Sequence, residues 1–229
     1  MRLVIGASHT FALIITRLMV VAETNEYAPE RVALDLRQHG FAIIDNFLSL
    51  NEVAEIVNQI EHKLDNGEFK KAGIGKDDDY QVQHGVRGDL IRWIDQSEPI
   101  PTNLIFLPRI KAVTQDLNKY CFLGLVDFEY HHTHYPVGSK YAKHTDTFKN
   151  DNSRVISAVC YLNVNWMKGD GGELLIYDDA ADGTVLQHEI EPHCGRLVIF
   201  ESRLWHEVLQ CRQERRSITG WFHNQRKLF

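Results

Sequence analysis

Hydrophobic positions recur with helical spacing only in the first half of the chain. Apolar residues at 32, 33 and 36, followed by Gly40, predict a short amphipathic helix over 29–38. Ser49, with Glu52 three residues later, forms a capping box ahead of an apolar stripe, which predicts a second helix. A third helix is expected over 108–120, because a proline suits the first helical turn.

From residue 121 onward the pattern changes to short apolar runs separated by turns. The predicted strands are 121–135, 141–146, 155–163, 172–177, 185–190, 195–200, 205–210 and 215–223. This series favours a β-sandwich or barrel. The stretch 67–89, rich in glycine and charge, predicts a loop.

The apolar stretch 11–22 leaves three interpretations open. It resembles a secretory signal, but Arg17 interrupts it. It could instead be an extra strand, or the biological start of the protein could be Met19, within this stretch. It is too short and interrupted to span a bilayer. Residues 1–26 are therefore treated as an N-terminal extension, and whether 1–18 belong to the native protein stays open.

Composition restricts the class of protein. A chain of 229 residues with 44% hydrophobic content can bury a full core as one domain. The net charge of −6 does not favour a nucleic-acid partner, since phosphate binding needs a basic surface. No membrane partner is expected either. The four cysteines show no C-x-x-C pairing, which favours a reducing, cytoplasmic location.

The candidate chemistry begins with His144 and Asp146. Side chains two apart in a strand point to the same face, so both can bind one metal ion, with His206 from a distant strand as the third ligand. Two imidazoles and one carboxylate are typical of non-haem Fe(II) oxygenases. Zinc can bind the same atoms, but the chain has no His-Glu-x-x-His motif.

Arg215 follows on the last predicted strand, where it shares a face with Ser217, Thr219 and Trp221. If that face points inward, the buried guanidinium needs a carboxylate partner, and its planar fork matches one. His131, His132 and His134 are not predicted to bind metal, because no acidic residue lies beside them at a matching spacing. His193 and His223 are expected to be surface or hydrogen-bonded polar residues.

Taken in order, these motifs resemble the 2-oxoglutarate/Fe(II) dioxygenases, and among them the prolyl hydroxylases that modify hypoxia-inducible factor and their bacterial relatives. The resemblance covers roughly 30–223. Its motifs are Val-Arg-Gly-Asp-Leu-Ile-Arg-Trp-Ile at 86–94, Tyr-Pro at 135–136, His-x-Asp at 144–146, Tyr-Leu-Asn at 161–163, Gly-Gly-Glu-Leu at 171–174, Gly-Arg-Leu-Val-Ile-Phe at 195–200, Trp-His-Glu-Val at 205–208 and Arg-Ser-Ile-Thr-Gly-Trp at 216–221.

The resemblance implies a mainly β (α+β) fold with a double-stranded β-helix core of the jelly-roll or cupin type. Helical support with a substrate-side loop at about 67–95 would occupy 27–120, and the catalytic core 121–229. The metal ligands implied are His144, Asp146 and His206. The implied 2-oxoglutarate pocket comprises Arg215, Tyr161, Tyr135, Leu174, Val208 and Thr219. The hypothetical substrate contacts are Arg87, Asp89, Trp93 and Arg154.

The implied reaction is hydroxylation of a proline in a protein or peptide, yielding hydroxyproline, succinate and CO2. Fe(II) is the metal, 2-oxoglutarate and O2 are co-substrates, and ascorbate is a candidate reductant. The bacterial branch suggests a translation factor as a target. Asp146 favours hydroxylation over halogenation, since related halogenases replace this carboxylate with a small residue. An oxygenase of a free amino acid or small metabolite and a non-catalytic cupin-like binding protein stay as alternatives, and the oligomeric state stays open.

Overall fold

Two antiparallel sheets and three helices make up the part of the protein that the computed structural model describes, residues 27–73, 85–147, 151–178 and 185–225. The N-terminal extension and the middle of the predicted loop at 67–89 lie outside these ranges. The helices are α1 Pro29–His39, α2 Leu50–Asp65 and α3 Pro101–Cys121. The strands are β1 Phe41–Ile44, β2 Lys70–Lys71, β3 Leu90–Trp93, β4 Asp127–Tyr135, β5 Tyr141–His144, β6 Arg154–Tyr161, β7 Leu174–Tyr177, β8 Leu186–Ile190, β9 Leu197–Glu201, β10 His206–Val208 and β11 Arg215–His223.

The first two helices confirm their sequence signals. Gly40 ends α1 with a φ of 75°, a left-handed conformation that glycine adopts readily. At the start of α2, the Ser49 side chain accepts from the Glu52 N–H, and the Glu52 carboxylate accepts from the Ser49 N–H at 2.9 Å. Both helices therefore begin or end where local chemistry requires.

The predicted start of the third helix was wrong. Helix α3 begins at Pro101, and Pro108 lies inside it. Either proline suits a first turn, and an interior proline forfeits one backbone hydrogen bond. Burial settles the choice, because Phe106 and Leu107, which precede Pro108, are buried along with Ile110 and Val113.

The strand predictions were right in kind but wrong at several ends. The predicted strand 121–135 begins only at Asp127, because α3 continues to Cys121. The predicted strand 141–146 ends at His144. β1, β2 and β3 were not predicted, yet all three join the larger sheet. A division of the chain near residue 120 stays a prediction, and the sheet itself draws strands from both sides of it.

The two sheets form the predicted double-stranded β-helix. The larger has the order β1-β9-β6-β11-β4-β3-β2, and the smaller β5-β10-β7-β8. Strand β9 shows why its sequence is a continuous apolar run: Leu197 and Ile199 pack in the cluster that includes the helices, whereas Val198 and Phe200 pack in the second cluster with residues of the smaller sheet. The helices thus cover one face of the larger sheet, and the other face encloses the site with the smaller sheet.

Among the described helices, none is both long and apolar enough to cross a bilayer.

Candidate active site

The antiparallel pairing of β5 with β10 places His144 directly opposite His206. Asp146 follows β5 and is fixed by its N–H, which donates to the Ser202 carbonyl at 2.9 Å. Nε2 of His144 lies 3.6 Å from Asp146 Oδ1, and Nε2 of His206 lies 3.5 Å from Asp146 Oδ2. The structure brings the three predicted ligands together, with candidate ligand atoms within 4.8 Å of one another. Asp146 was predicted to lie within the strand 141–146, but the observed strand ends at His144, so Asp146 reaches the cluster from just beyond the strand end.

Backbone carbonyls orient both imidazoles. Nδ1 of His144 lies 2.8 Å from the Ala142 carbonyl, and Nδ1 of His206 lies 2.9 Å from the Leu204 carbonyl. A carbonyl oxygen only accepts, so each Nδ1 carries the proton and each Nε2 keeps its lone pair. Both lone pairs are then available to a metal ion, as metal-binding histidines require.

The charges of the site suit a cation. Burial raises the pKa of the Asp146 carboxyl, but His206, His144 and the Ser157 hydroxyl together hold it well below its usual range. Ser157 Oγ donates to Asp146 Oδ2 at 2.6 Å. Burial, reinforced by His144, lowers the pKa of His206 to about 4. At neutral pH the site therefore presents an ionised carboxylate and a neutral His206, the protonation states in which these groups bind metals.

Arg215 lies on the same pocket as this triad. It is 2% exposed, and in the described part of the chain its Nε has no hydrogen-bond partner. Its Cζ lies 5.0 Å from the ring centroids of both Tyr135 and Tyr161, and no described residue hydrogen-bonds the Tyr161 hydroxyl. No carboxylate pairs with Arg215 within the described ranges. A buried guanidinium without a counter-ion is costly, so the arrangement suits an anionic ligand.

Gly172 makes room for this arginine. A Cβ at Gly172 would lie 2.8 Å from Arg215 Cδ, and the residue has a φ of 78°. The close approach of Arg215 therefore explains the second glycine of the Gly-Gly-Glu-Leu motif. The sequence pattern identified the motif but did not show that it contacts Arg215.

A pocket of about 440 Å³, counted with its open mouth, joins the triad to Arg215. Of the other predicted 2-oxoglutarate contacts, Tyr135, Leu174, Val208 and Thr219 line it directly. Tyr161 is fully buried and contacts Arg215. The six positions are therefore brought together, whereas their roles stay predictions.

The predicted substrate contacts fall into two groups. Arg87 and Asp89 line the pocket and form a bidentate ion pair with distances of 2.7 and 2.9 Å. Asp89 is 1% exposed. The Arg87 guanidinium lies 4.5 Å from the Tyr141 ring centroid, and that ring stacks on His144 at 3.6 Å. This ion pair thus supports, through Tyr141, one histidine of the candidate metal cluster.

Trp93 and Arg154 lie just beyond the pocket wall. Both contact Trp221, which lines the pocket: the Trp93 and Trp221 rings are 6.1 Å apart, and Arg154 Cζ lies 3.8 Å over the Trp221 ring. Arg154 also pairs with Glu129 at 2.8 Å. Trp93 is 51% exposed. The two side chains therefore border the pocket without lining it.

The three neighbouring histidines of β4 do not form one group. His131 lines the pocket, as do Thr133 and Tyr135 on the same strand face. His132 points the other way, with Nε2 2.7 Å from Thr102 Oγ1. Strand alternation from Tyr135 was the signal that could have singled out His131. His193 pairs with Glu191 at 2.9 Å, and His223 is buried with its Nε2 3.1 Å from Glu129.

Comparison with known proteins agrees with this geometry. The family described as the 2OG-Fe(II) oxygenase superfamily matches residues 130–223. A Pseudomonas putida prolyl-4-hydroxylase structure is similar at 36% identity and a TM-score of 0.75, over 87% of this chain and 100% of that one. A Trichoplax adhaerens prolyl hydroxylase, solved with a hypoxia-inducible factor oxygen degradation domain peptide, is similar at 26% identity and a TM-score of 0.75, over 95% and 94%.

Curated relatives give the same result. Mouse prolyl hydroxylase EGLN3 is 31% identical over 84% of each chain. Other animal relatives are longer, and the alignments span only 28 to 58% of their length.

Proposed function

Because the chain belongs to the prolyl hydroxylase family of 2OG-Fe(II) oxygenases, we propose that it hydroxylates a proline in a protein substrate. The products are hydroxyproline, succinate and CO2. One observation carries the proposal: a buried arginine, with no carboxylate partner among the described residues, lies on the same pocket as a His-Asp-His cluster.

The cluster fits Fe(II). His144, Asp146 and His206 offer two nitrogens and one oxygen around a common centre, the ligand set of non-haem iron oxygenases. The hydrogen bonds to Ala142 and Leu204 keep the imidazoles aimed at this centre. These three side chains would hold the ion.

The far end of the pocket fits 2-oxoglutarate. Arg215 would bind the distal carboxylate, and the Tyr161 hydroxyl, which no described residue hydrogen-bonds, would donate to it. Tyr135, Leu174, Val208 and Thr219 would enclose the rest of the molecule. When bound, the iron couples oxidative decarboxylation of 2-oxoglutarate to insertion of one oxygen atom into a C–H bond. The protein side chains then orient the reactants and exclude water.

A peptide would enter at the exposed side. Trp93 presents exposed aromatic surface there, and the buried Trp221 lines the adjoining pocket with Arg154 stacked on its ring. The Arg87–Asp89 ion pair would hold the substrate-side loop against the pocket. These contacts support an extended peptide as substrate.

We also propose that the chain acts as one catalytic domain, with support over 27–120 and the core over 121–229. The target is a translation factor, by analogy with the bacterial branch. Ascorbate serves as reductant for the iron. The enzyme works in the cytoplasm, where its four unpaired cysteines stay reduced.

The test is succinate formation by protein loaded anaerobically with Fe(II), then given 2-oxoglutarate, oxygen and proline-containing peptides. We expect one peptide to gain an oxygen atom on proline in step with succinate. Succinate without peptide oxidation would instead favour a small-molecule oxygenase. Failure to bind 2-oxoglutarate would favour a cupin-like binding protein.

A matched pair of variants tests the anchor. Arg215→Gln should weaken 2-oxoglutarate binding by roughly 10- to 100-fold, because a charge-assisted hydrogen-bonded pair is lost. Arg216→Gln changes the neighbouring arginine, which pairs with Glu61 and Glu214 instead, and should leave binding unchanged. Equal effects of the two substitutions would contradict the assignment.

A further inference from the structure

His131 occupies a position in the pocket that the triad and Arg215 do not account for. It is 1% exposed and lies on the face of β4 that carries Thr133 and Tyr135. Its ring centroid is 5.0 Å from that of Trp93 and 5.5 Å from that of Trp221. The imidazole is therefore part of the wall beside the aromatic side chains that border the peptide entrance.

The hydrogen bonds of Nδ1 define what the other nitrogen can do. Nδ1 lies 3.2 Å from the His132 carbonyl and 3.0 Å from Thr133 Oγ1. Because the carbonyl can only accept, Nδ1 carries the proton and Nε2 has a free lone pair. Burial, with Arg87 as a nearby cation, lowers the pKa of His131 to about 4, so the ring is neutral at physiological pH.

That lone pair has no partner among the residues that the structure describes. Nε2 of His131 is buried, and none of those residues donates a hydrogen bond to it. Buried polar atoms are nearly always paired, and an unpaired one is costly. Because Nε2 of His131 is a neutral acceptor on the pocket wall, a hydrogen-bond donor on a bound ligand would satisfy it.

A series of hydroxyls fixes the ring relative to Arg215. Thr133 Oγ1 donates to Thr219 Oγ1 at 3.1 Å, and Ser217 Oγ lies 3.4 Å from Thr219 Oγ1. Arg215 Nη1 in turn donates to Ser217 Oγ at 3.4 Å.

The strand register sets the separation of the two groups. Thr219 pairs with His131 and Arg215 with Tyr135, so four residues, about 13 Å of strand, separate them. His131 thus serves a different part of the pocket from the arginine, the part nearest Trp93 and Trp221.

We propose that His131 is a positioning residue for the peptide substrate. Its Nε2 accepts a hydrogen bond from a main-chain N–H of the peptide, on a residue beside the target proline. The assignment rests on the proposed prolyl hydroxylase function. A proline inside a chain has no N–H, so the donor belongs to a neighbouring residue. The contact thereby selects how the peptide, and with it the proline ring, lies in the pocket.

Three substitutions at His131 test the roles of its two ring nitrogens separately. His131→Gln keeps an acceptor near the Nε2 position, His131→Asn keeps a polar group near Thr133, and His131→Met keeps neither. We expect the peptide KM to rise about tenfold in the Met and Asn variants and to stay within about threefold in the Gln variant, the size expected for one neutral hydrogen bond. The 2-oxoglutarate Kd, kcat at saturating peptide and Tm should stay close to wild type.

The donor is located by a methylation scan. The peptide is first selected by wild-type enzyme from a synthetic library with proline at the centre, and each neighbouring amide is then N-methylated singly. Wild type should lose about tenfold in kcat/KM on one of these peptides, whereas the Met variant should not distinguish that peptide from its parent.

The two failures are distinguishable. If wild type hydroxylates a peptide and the Met variant shows the same KM and the same methylation profile, the role of His131 is overturned and the enzyme activity stands. If wild type forms succinate but oxidises no proline in any library peptide, the proposed function is overturned, and the assignment of His131 with it.

Discussion

Gly172→Ala should weaken 2-oxoglutarate binding by displacing Arg215, although Gly172 itself supplies no group to the co-substrate. The added Cβ would lie 2.8 Å from Arg215 Cδ and 3.0 Å from Cys211 Sγ. Non-bonded carbon atoms prefer about 3.5–4.0 Å, so the arginine side chain must move by roughly 1 Å. Its guanidinium then loses the geometry of a bidentate carboxylate contact, which contributes about 1.5–3 kcal/mol. The 2-oxoglutarate Kd should therefore rise by roughly 10- to 150-fold.

Backbone strain is a separate effect and needs its own control. Gly172 has a φ of 78°, and Gly138 has a φ of 88°, but no atom of the described residues lies within 4 Å of a Cβ added at Gly138. Alanine at either position should cost about 1–2 kcal/mol of folding stability. Only the substitution at 172 should change the Kd.

The assay is calorimetric titration of 2-oxoglutarate into anaerobic Fe(II)-loaded protein, with Tm measured on the same samples. An unchanged Kd in Gly172→Ala, or an equal rise in Gly138→Ala, would refute the reasoning that space beside Arg215 sets co-substrate affinity.

Three further predictions concern the surroundings of the pocket. Asp89→Asn removes the carboxylate that pairs with the mostly buried Arg87, and should cost about 3–5 kcal/mol in urea unfolding and raise the peptide KM; an unchanged KM would restrict the pair to a structural role. Ser157→Ala removes the 2.6 Å hydrogen bond to Asp146 and should lower Fe(II) affinity by roughly 10- to 100-fold in chelator competition; unchanged affinity would contradict an orienting role. Burial lowers the pKa of His132 to about 3, below about 6.5 in the unfolded chain, so folding stability is lost as pH falls through that window. His132→Phe should make this acid-side loss shallower, and identical pH–stability profiles would refute it.

Local chemistry made several elements predictable. Ser49 and Glu52 form the capping box that their spacing indicated, and Gly40 ends the first helix. The alternation along 215–223 correctly placed Arg215 and Thr219 on one face, because side chains in a strand point to alternate sides wherever the strand lies. These inferences depend on atoms within a few residues of one another.

Other features depended on partners far away in the chain. Pro101 rather than Pro108 begins the third helix, since packing of the intervening turns decides the start. β1 and β3 gain their strand identity by pairing with β9 and β4. His131 lines the pocket and His132 does not. The sequence alone did not separate the two, because neighbouring histidines have the same chemistry and differ only in the face of the strand on which they lie.

The sequence by itself determined which residues could bind a metal and a carboxylate, because the chemistry of imidazole, carboxylate and guanidinium groups does not depend on the fold. Only the tertiary structure decided that they meet. The register of β5 with β10 sets His144 opposite His206, and a backbone hydrogen bond to Ser202 brings Asp146 to them from beyond the strand end. Such long-range pairing is fixed by the packing of two sheets, which no local pattern records.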